Sequence, residues 1–246
     1  MVQIKQGDPY NPEVYLGNVP RADFRTEKFD TIIKQKGYTM IWEQATICSC
    51  YNPTDGQPQY QCPDCHGRGY YYFGAVETKA VVSSINGHRE QEEFGLINVG
   101  SAYITPLSTD MVGYRDRFTF TDFRVKFSEI ITRGTTNTDN LRYPADKVLA
   151  IRSLGQSYKP GIDLTLSQDG KSVTWVNVPS IVNGQYSILY TTPPVYICIN
   201  PVHEMRGTYV KYHASGQEEF VILPQQYQMK REDFLDGDTS GFPPQY

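Results

Sequence analysis

Short alternations of apolar and polar residues, broken by glycine and proline, run through most of the chain. Residues 38–47 place Tyr38, Met40 and Trp42 on one side, and residues 123–130 alternate in the same way. A period of two residues is typical of a half-buried strand, because successive side chains of a strand point to opposite faces. The pattern therefore predicts strands along much of the sequence.

Further strands are expected wherever this pattern recurs. They are predicted at residues 70–73, 75–85, 96–104, 118–120, 147–154, 164–166, 173–176, 185–191, 195–199, 209–212, 219–223 and 228–231. Asp169-Gly170 predicts a type I′ hairpin turn, and residues 132–140 are predicted to be a long polar loop. The density of strands predicts a mainly β protein. Its body, residues 75–231, is expected to be a β barrel or sandwich with Greek-key-like returns.

One short helix is predicted at residues 23–36. Phe29, Ile32 and Ile33 share one face at helical spacing, and Gly37 suits the position after a helix end. The helix, the strand at residues 38–47 and the segment up to residue 74 form one predicted unit before the body.

The two ends of the chain are predicted to be irregular. Residues 1–22 contain prolines and few apolar residues, so we expect an extended arm. This arm is either disordered or laid on a neighbouring subunit, and the anchors Tyr10, Tyr15 and Leu16 favour the second interpretation. Residues 232–246 are acidic and rich in turn-forming residues, and they are expected to form a flexible tail.

Four of the five cysteines lie close together between predicted strands. Cys48 and Cys50 are separated by one residue, Cys62 and Cys65 by two, and a polar loop lies between the pairs. Four tetrahedral sulfur ligands about 2.3 Å from a zinc ion lie roughly 3.7 Å from one another. A turn brings Cys62 and Cys65 together, and alternate strand positions direct Cys48 and Cys50 to one face. The spacing predicts an inserted hairpin that binds Zn²⁺ through these four cysteines.

Alternatives to this ligand set remain at the level of the sequence. Two disulfides would need an oxidising compartment, and the first residues contain no apolar segment of a secretory signal. The histidine His66 directly follows Cys65 and is a possible substitute for Cys48 or Cys50. Four protein ligands leave no position for a water nucleophile, so the site is predicted to be structural and not catalytic.

Charge and motif searches argue against several classes of function. The chain has 23 basic and 27 acidic residues, a net charge of −4, and no basic face near the cysteines, which argues against nucleic-acid binding as its main role. No apolar run approaches the length of a membrane span. His203 begins a metalloprotease-like motif, but Gly207 replaces its second histidine. Cys198 alternates with apolar neighbours and is predicted to be a core residue, so we expect no enzyme activity.

Three segments of the C-terminal third carry a resemblance to a known class of proteins. They are Tyr-Ser-Ile-Leu-Tyr-Thr-Thr-Pro-Pro-Val-Tyr at residues 186–196, Asn-Pro-Val-His-Glu-Met-Arg at residues 200–206, and Leu-Pro-Gln-Gln-Tyr-Gln-Met-Lys-Arg-Glu-Asp-Phe at residues 223–234. With the cysteine hairpin, the pattern over residues 40–235 resembles virion proteins of long-tailed bacteriophages, especially neck and head–tail connector proteins. J-domain chaperones also carry a Cys-Pro-x-Cys-x-Gly-x-Gly form, but they repeat it, whereas this chain has one set.

The resemblance implies a structural subunit of a symmetric ring that joins portal to tail and lines or seals the DNA channel. The implied partners are copies of the chain itself, neighbouring portal or adaptor and tail proteins, and passing DNA, with no membrane. Such a protein is assembled in the bacterial host cytoplasm and resides in the virion. Two alternatives stay open: another virion component, such as a baseplate or tail-terminator protein, and a zinc-ribbon nucleic-acid-binding module fused to a β barrel.

Overall fold

A computed structural model describes most of the chain between residues 26 and 235. The described residues are 26–52, 54, 56–59, 62–65, 67–83, 100–176, 184–202, 207–211 and 218–235. The predicted arm, residues 1–22, and the greater part of the predicted tail, residues 236–246, lie outside them. Within the described residues the chain forms two helices and fifteen strands, which confirms the prediction of a mainly β fold.

The elements are numbered here in chain order. The helices are α1 (Thr26–Lys36) and α2 (Glu232–Leu235). The strands are β1 (Tyr38–Ile47), β2 (Tyr70–Ser83), β3 (Ser101–Pro106), β4 (Arg117–Phe120), β5 (Val125–Thr132), β6 (Thr138–Asn140), β7 (Lys147–Ser153), β8 (Gln156–Tyr158), β9 (Leu164–Leu166), β10 (Ser172–Trp175), β11 (Gln185–Thr192), β12 (Val195–Pro201), β13 (Gly207–Lys211), β14 (Glu218–Ile222) and β15 (Tyr227–Arg231).

Six strands pair in a closed ring and form a barrel. The order around the ring is β1, β2, β3, β15, β12 and β4, and all neighbours are antiparallel. Alternate residues of each strand point inward, so β1 buries Met40 and Trp42 while β4 buries Phe118 and Phe120. The remaining buried residues of this core are Ala80, Ile104, Cys198, Tyr227 and Met229.

The chain between β4 and β12 forms two further sheets, which we call the insert (residues 125–192). Their strand orders are β5-β11-β7-β8 and β6-β10-β9. The alternating residues Tyr186, Ile188 and Tyr190 of β11 are fully buried and pack with Trp175 of β10 in a core separate from that of the barrel. The described strands of the barrel and of the insert therefore have one apolar core each. The strands β13 and β14 pair with each other in a separate two-stranded sheet.

Helix α1 joins the barrel through a close turn at Gly37. The Gly37 N–H donates to the Ile33 carbonyl at 2.7 Å. A Cβ atom at this position would lie 2.4 Å from that carbonyl oxygen and 3.0 Å from the carbonyl oxygen of Ala80 on β2, so the turn requires glycine. The side chain of Asp30 accepts hydrogen bonds from the backbone and hydroxyl of Ser108 and fixes the helix to the segment after β3.

The helix prediction was correct in place, and only part of the predicted apolar face is buried. Ile33 is 3% exposed, but Ile32 is 52% exposed, because the helix meets the body through a stripe narrower than its apolar face. The start predicted at residue 23 lies outside the described residues. A second helix, α2, occupies the first residues of the predicted tail, where no helical pattern was recognised.

Two strand predictions require correction. Residues 70–73 and 75–83 belong to the single strand β2, so the predicted boundary between residues 74 and 75 falls inside a strand. The predicted polar loop at residues 132–140 contains β6, and its Asp139 is 6% exposed. The buried carboxylate accepts hydrogen bonds from Trp175 Nε1 at 3.0 Å and from the Tyr186 hydroxyl at 2.9 Å.

The predicted hairpin between β9 and β10 is present, but its turn differs from the predicted type. A type I′ turn needs positive φ at both central residues, whereas Gly170 has φ 71° and Asp169 does not share this conformation. The Gly170 N–H donates to the Ser167 carbonyl at 3.0 Å, so glycine stands at the last position of the turn. A Cβ atom there would lie 2.4 Å from the Ala145 carbonyl oxygen, so a close approach requires the glycine as well.

Candidate metal centre

The loop between β1 and β2 carries the four clustered cysteines, and we call residues 48–69 the cysteine loop. The two strands remain antiparallel partners up to the pair Ile47–Tyr70. Directly beyond this pair, the Cys48 N–H donates to the Gly69 carbonyl at 2.8 Å. Because the strand register holds both ends of the loop together, it brings the two cysteine pairs to the same place.

The four sulfur atoms converge on one point. The Sγ atoms of Cys48 and Cys62 are 3.6 Å apart, those of Cys50 and Cys65 are 3.4 Å apart, and all four lie within 4.8 Å of one another. Cys50 is half-buried and the other three are buried. All four are free thiols, so the disulfide alternative finds no support in this geometry.

Tight turns place each pair of sulfurs. The Tyr51 N–H donates to the Cys48 carbonyl and the Arg68 N–H to the Cys65 carbonyl, each at 3.0 Å. Gly67, within the second turn, and Gly69, just after it, have φ angles of 79° and 77°. A residue with a side chain is destabilised by roughly 1–2 kcal/mol in this left-handed backbone conformation, which explains why glycine occupies both positions.

The prediction for Cys48 and Cys50 was wrong in its mechanism. Strand β1 ends at Ile47, and Ser49 and Cys50 form a turn, so strand alternation does not bring these sulfurs together. The Cys50 N–H instead bonds to the Cys48 sulfur across the turn. In both pairs, backbone N–H groups that follow the first cysteine bond to its sulfur and fold the chain into a turn. One residue between Cys48 and Cys50 is therefore enough to bring the second sulfur close, as two residues do between Cys62 and Cys65.

Backbone dipoles and burial act differently on the individual thiols. Hydrogen bonds from the N–H groups of Cys65 and Asp64 lower the pKa of Cys62 to about 7. Burial, followed by the contact with the Cys65 thiol, raises the pKa of Cys50 to about 12. Four sulfurs at this spacing cannot all ionise without a compensating cation, since like charges disfavour one another. A bound metal ion supplies that cation and holds its ligands as thiolates.

This donor set fits a metal ion held by the protein alone. The measured sulfur separations of 3.4 and 3.6 Å are close to the roughly 3.7 Å expected around tetrahedral zinc. Thiolates favour soft or borderline ions such as zinc, copper(I) or the iron of iron–sulfur sites. The four cysteines could therefore hold a metal ion. His66 lies outside the described residues, so its role as a substitute ligand stays a prediction.

The described part of the cysteine loop contains no apolar cluster other than the cysteines. Its core consists of Cys48, Cys62 and Cys65, with Cys50 packed against them. Farther along the loop, two backbone hydrogen bonds of 2.9 Å close a polar turn. The Asn52 N–H donates to the Gln57 carbonyl, and the Gly56 N–H donates to the Asn52 carbonyl. The described part of the loop therefore has little apolar surface whose burial could hold its shape.

A buried carboxylate fixes the strand that enters the loop. Asp116 is 3% exposed and accepts hydrogen bonds from Trp42 Nε1 at 2.9 Å, from the Ala45 N–H at 2.9 Å and from the Gly113 N–H at 2.8 Å. Through these hydrogen bonds Asp116 connects β1 to the segment before β4. The connected part of β1 lies a few residues before Cys48. The sequence offered no signal for this role, because the two partners on β1 lie more than 70 residues away from Asp116.

Two ion pairs attach the loop and its strands to the rest of the molecule. Arg117 makes a bidentate pair with Glu43 at 2.8 and 3.0 Å, and its guanidinium lies 4.1 Å from the ring centre of Tyr72. Arg68 of the cysteine loop pairs with Glu232 of α2 at 3.4 Å, and Glu232 is 5% exposed. The cysteine loop and its two strands are therefore connected to both the barrel wall and the last described helix.

The other residues of chemical interest lie away from this centre. Cys198 is fully buried in the barrel core, and burial raises its pKa to about 12, as suits a core residue and not a nucleophile. All four histidines, His203 among them, lie outside the described residues. Among the described residues, the four cysteines form the one group of three or more side chains that could hold a metal ion.

Comparisons with known proteins assign no family to the chain. No protein-family model matches it, and a search of curated proteins finds no significant match. In the part of the chain that the structure describes, no helix has the length and apolar character needed to cross a membrane.

Proposed function

We propose that this protein is a structural subunit of a tailed-bacteriophage virion, in the neck ring that joins portal to tail, and that its cysteine loop holds one structural Zn²⁺ ion. The observation that carries the proposal is the convergence of four cysteine sulfurs in a loop at the end of a two-stranded ribbon. Beyond Glu43, β1 no longer pairs with β4, and β2 pairs with β3 only from Ala80 onward. Residues 44–47 and 70–73 pair with each other alone among the described strands.

The surface of this ribbon has the composition of a contact surface. Ile47 is 61% exposed, and the neighbouring rings of Tyr71 and Phe73 are 40% and 46% exposed with their centres 6.0 Å apart. Aromatic residues are enriched in protein interfaces. A ribbon held in shape by a metal ion loses less conformational entropy on docking than a free loop does. These features support a role in which the ribbon contacts a neighbouring subunit.

Zinc is the metal that the donor set favours for such a role. Four cysteines give zinc a complete tetrahedral coordination without redox chemistry and without a position for water. A structural site therefore fits an assembly subunit better than a catalyst. In this proposal the arm at residues 1–22 makes a second contact between copies, because its few apolar anchors are too sparse to fold alone. Portal or adaptor and tail proteins are the other partners, and DNA passes through the ring.

The metal half of the proposal is tested by elemental analysis. Protein purified without chelators should contain about one zinc ion per chain, as expected for a single four-ligand site. Cys62→Ser should lose the metal, while Cys198→Ala, a change at the cysteine of the barrel core, should retain it. Absence of zinc from the unaltered protein would rule out the zinc site.

The assembly half is tested on particles. Deleting residues 1–22, or replacing Cys62 with serine, should give normal heads and normal tails that are not joined, as seen by electron microscopy. The Cys198→Ala variant is the matched control and should give joined particles. Defects confined to the baseplate or the tail end would favour the alternative virion positions. Normal infectious particles from both altered chains would contradict the proposal.

A further inference from the structure

A buried carboxylate of the last described helix is paired with the cysteine loop. Glu232 is the first residue of α2 and is 5% exposed, and Arg68 lies between Gly67 and Gly69 at the end of the loop. Arg68 Nη1 is 3.4 Å from Glu232 Oε1. The other carboxylate oxygen, Oε2, is buried and makes no hydrogen bond with the described residues. A buried carboxylate is unfavourable unless a cation or hydrogen-bond donors compensate it, so the ion pair with Arg68 stabilises Glu232 in its buried position.

A second arginine lies near this carboxylate but is bound to another residue. Burial lowers the pKa of Arg117, but the neighbouring Glu43 and then Glu232 raise it above its ordinary value. The Arg117 guanidinium makes its bidentate pair with Glu43, at 2.8 and 3.0 Å. Among the described residues, Arg68 is therefore the cation that forms an ion pair with Glu232.

The position of Arg68 is fixed by the turn at the second cysteine pair. Its N–H donates to the Cys65 carbonyl at 3.0 Å, and the carbonyl of the next residue, Gly69, accepts the Cys48 N–H at 2.8 Å. Both cysteines belong to the four whose sulfur atoms converge. A change that unfolds this turn therefore moves the backbone of Arg68 away from Glu232.

Helix α2 has only four residues and is too short to be stable by itself. Phe234 attaches it to the barrel: a Cβ atom at Gly100, directly before β3, would lie 2.4 Å from this ring. The Arg231 guanidinium lies 4.3 Å from the centre of the same ring. Because Phe234 is still 40% exposed, the helix gains only part of the free energy of burying it. The ion pair of Glu232 is therefore an important part of what holds α2 in place.

We propose that the cysteine loop is a metal-dependent latch for α2. With the metal ion bound, the turn at Cys65 holds Arg68 against Glu232, and α2 stays on the barrel. When the metal ion leaves, the turn loses its order and Glu232 is left buried without a cation. Helix α2 then detaches from the barrel. The inference rests on the metal site of the proposed function and does not depend on the virion role.

Limited proteolysis tests the latch, because a protease cleaves α2 only when the helix opens. Chymotrypsin cleaves after aromatic residues, and mass spectrometry of the full chain follows the initial rate of cleavage between Phe234 and Leu235. Removing the metal ion with a chelator should raise this rate about tenfold, a moderate effect because solvent already screens the half-exposed side chain of Arg68. Arg68→Met should give the same increase at an unchanged metal content.

Two further variants serve as matched controls. Arg68→Lys keeps the positive charge and should keep most of the protection of α2. Glu232→Gln removes the charge that needs a cation, so neither the chelator nor Arg68→Met should raise the cleavage rate further in this variant. Such non-additive effects distinguish a latch from a general loosening of the chain.

Three results would overturn the proposal. In the first, the chelator speeds amide exchange in the cysteine loop but leaves cleavage between Phe234 and Leu235 unchanged. In the second, Arg68→Met keeps its metal ion and is cleaved at the rate of the unaltered chain. Either result would refute the latch and leave the metal site intact. The third is the absence of a metal ion from the purified protein, which would refute the metal site and the latch together.

Discussion

The barrel and the cysteine loop are formed by the same two strands but are stabilised by different interactions. Where β1 lies in the barrel, it buries Met40 and Trp42 against aromatic residues such as Phe118. Soon after Trp42, the chain enters a loop whose buried cluster consists of cysteines. Burial of apolar surface orders the barrel, whereas in the proposed function a bound zinc ion orders the loop. The two regions should therefore lose their structure under different conditions.

The largest effect is expected from removing the metal ligands. Cys65→Ser should release the metal and remove the amide protection of the described parts of residues 48–69, while the barrel strands stay protected. The expected loss is large for the loop, because a structural zinc ion supplies about 10–16 kcal/mol of folding free energy in small zinc-binding peptides. Hydrogen exchange and elemental analysis on the same sample measure both effects. If the amides of the cysteine loop exchange no faster in Cys65→Ser than in the unaltered protein, metal binding does not order the loop.

The converse change acts on the barrel. Phe118→Ala should lower the free energy of unfolding by about 3–5 kcal/mol, because the ring is fully buried and its removal leaves a cavity. Chemical denaturation measures the loss, and the folded variant should still bind its metal ion.

Phe123→Ala is the matched control for this change. Its ring is 42% exposed, so truncation should cost clearly less than truncation of Phe118. Equal losses from the two variants would mean that the closed ring of strands does not form the core described above.

A change at Asp116 tests how strongly the two regions are connected. Asp116→Ala leaves Trp42 Nε1 and two backbone N–H groups without their acceptor, and we expect a loss of about 2–3 kcal/mol in the free energy of unfolding. Because Ala45 lies in the ribbon, amide exchange at residues 44–47 should also increase. Asp122→Ala, an exposed acidic residue, is the control. An unchanged ribbon in the Asp116 variant would show that the carboxylate acts within the barrel alone.

The smallest effect concerns pH and the core of the insert. Burial raises the pKa of Glu129 above its ordinary value, although hydrogen bonds from the Tyr190 hydroxyl and the Arg142 N–H oppose this shift. The folded state thus keeps the proton at pH values where the unfolded chain has lost it. The contribution of Glu129 to stability is greatest below the ordinary pKa of about 4.3 and decreases as the pH rises through the interval up to the raised pKa.

Glu129→Gln should remove this dependence, because glutamine keeps the side-chain oxygen and cannot ionise. Denaturation curves of both proteins from pH 4 to pH 8 should show stability falling more steeply with pH for the unaltered chain than for the variant. Parallel curves for the two proteins would mean that Glu129 titrates in the folded state as it does in the unfolded state.

Local patterns predicted several features correctly. The alternation of Met40 and Trp42 in β1, and of Tyr186 and Ile188 in β11, was sufficient because strand periodicity is a property of neighbouring residues. The cysteine cluster was recognisable for a related reason, since its members lie close together in the sequence. Even there, the prediction that strand alternation brings Cys48 and Cys50 together was wrong. Strand β1 ends at Ile47, where its pairing with β2 stops, and the sequence alone does not show that end.

The sequence by itself determined that the chain is mainly β and that Cys48, Cys50, Cys62 and Cys65 belong together. The tertiary structure decided the order of strands in the barrel, the exposure of Ile32 and the burial of Asp139 and Asp116. A carboxylate is compatible with a protein core only when specific donors reach it. Those donors, Trp42 for Asp116 and Trp175 for Asp139, lie 74 and 36 residues away along the chain. A local sequence pattern cannot predict these carboxylate–tryptophan hydrogen bonds, because the partners come together only when the strands pack around the two cores.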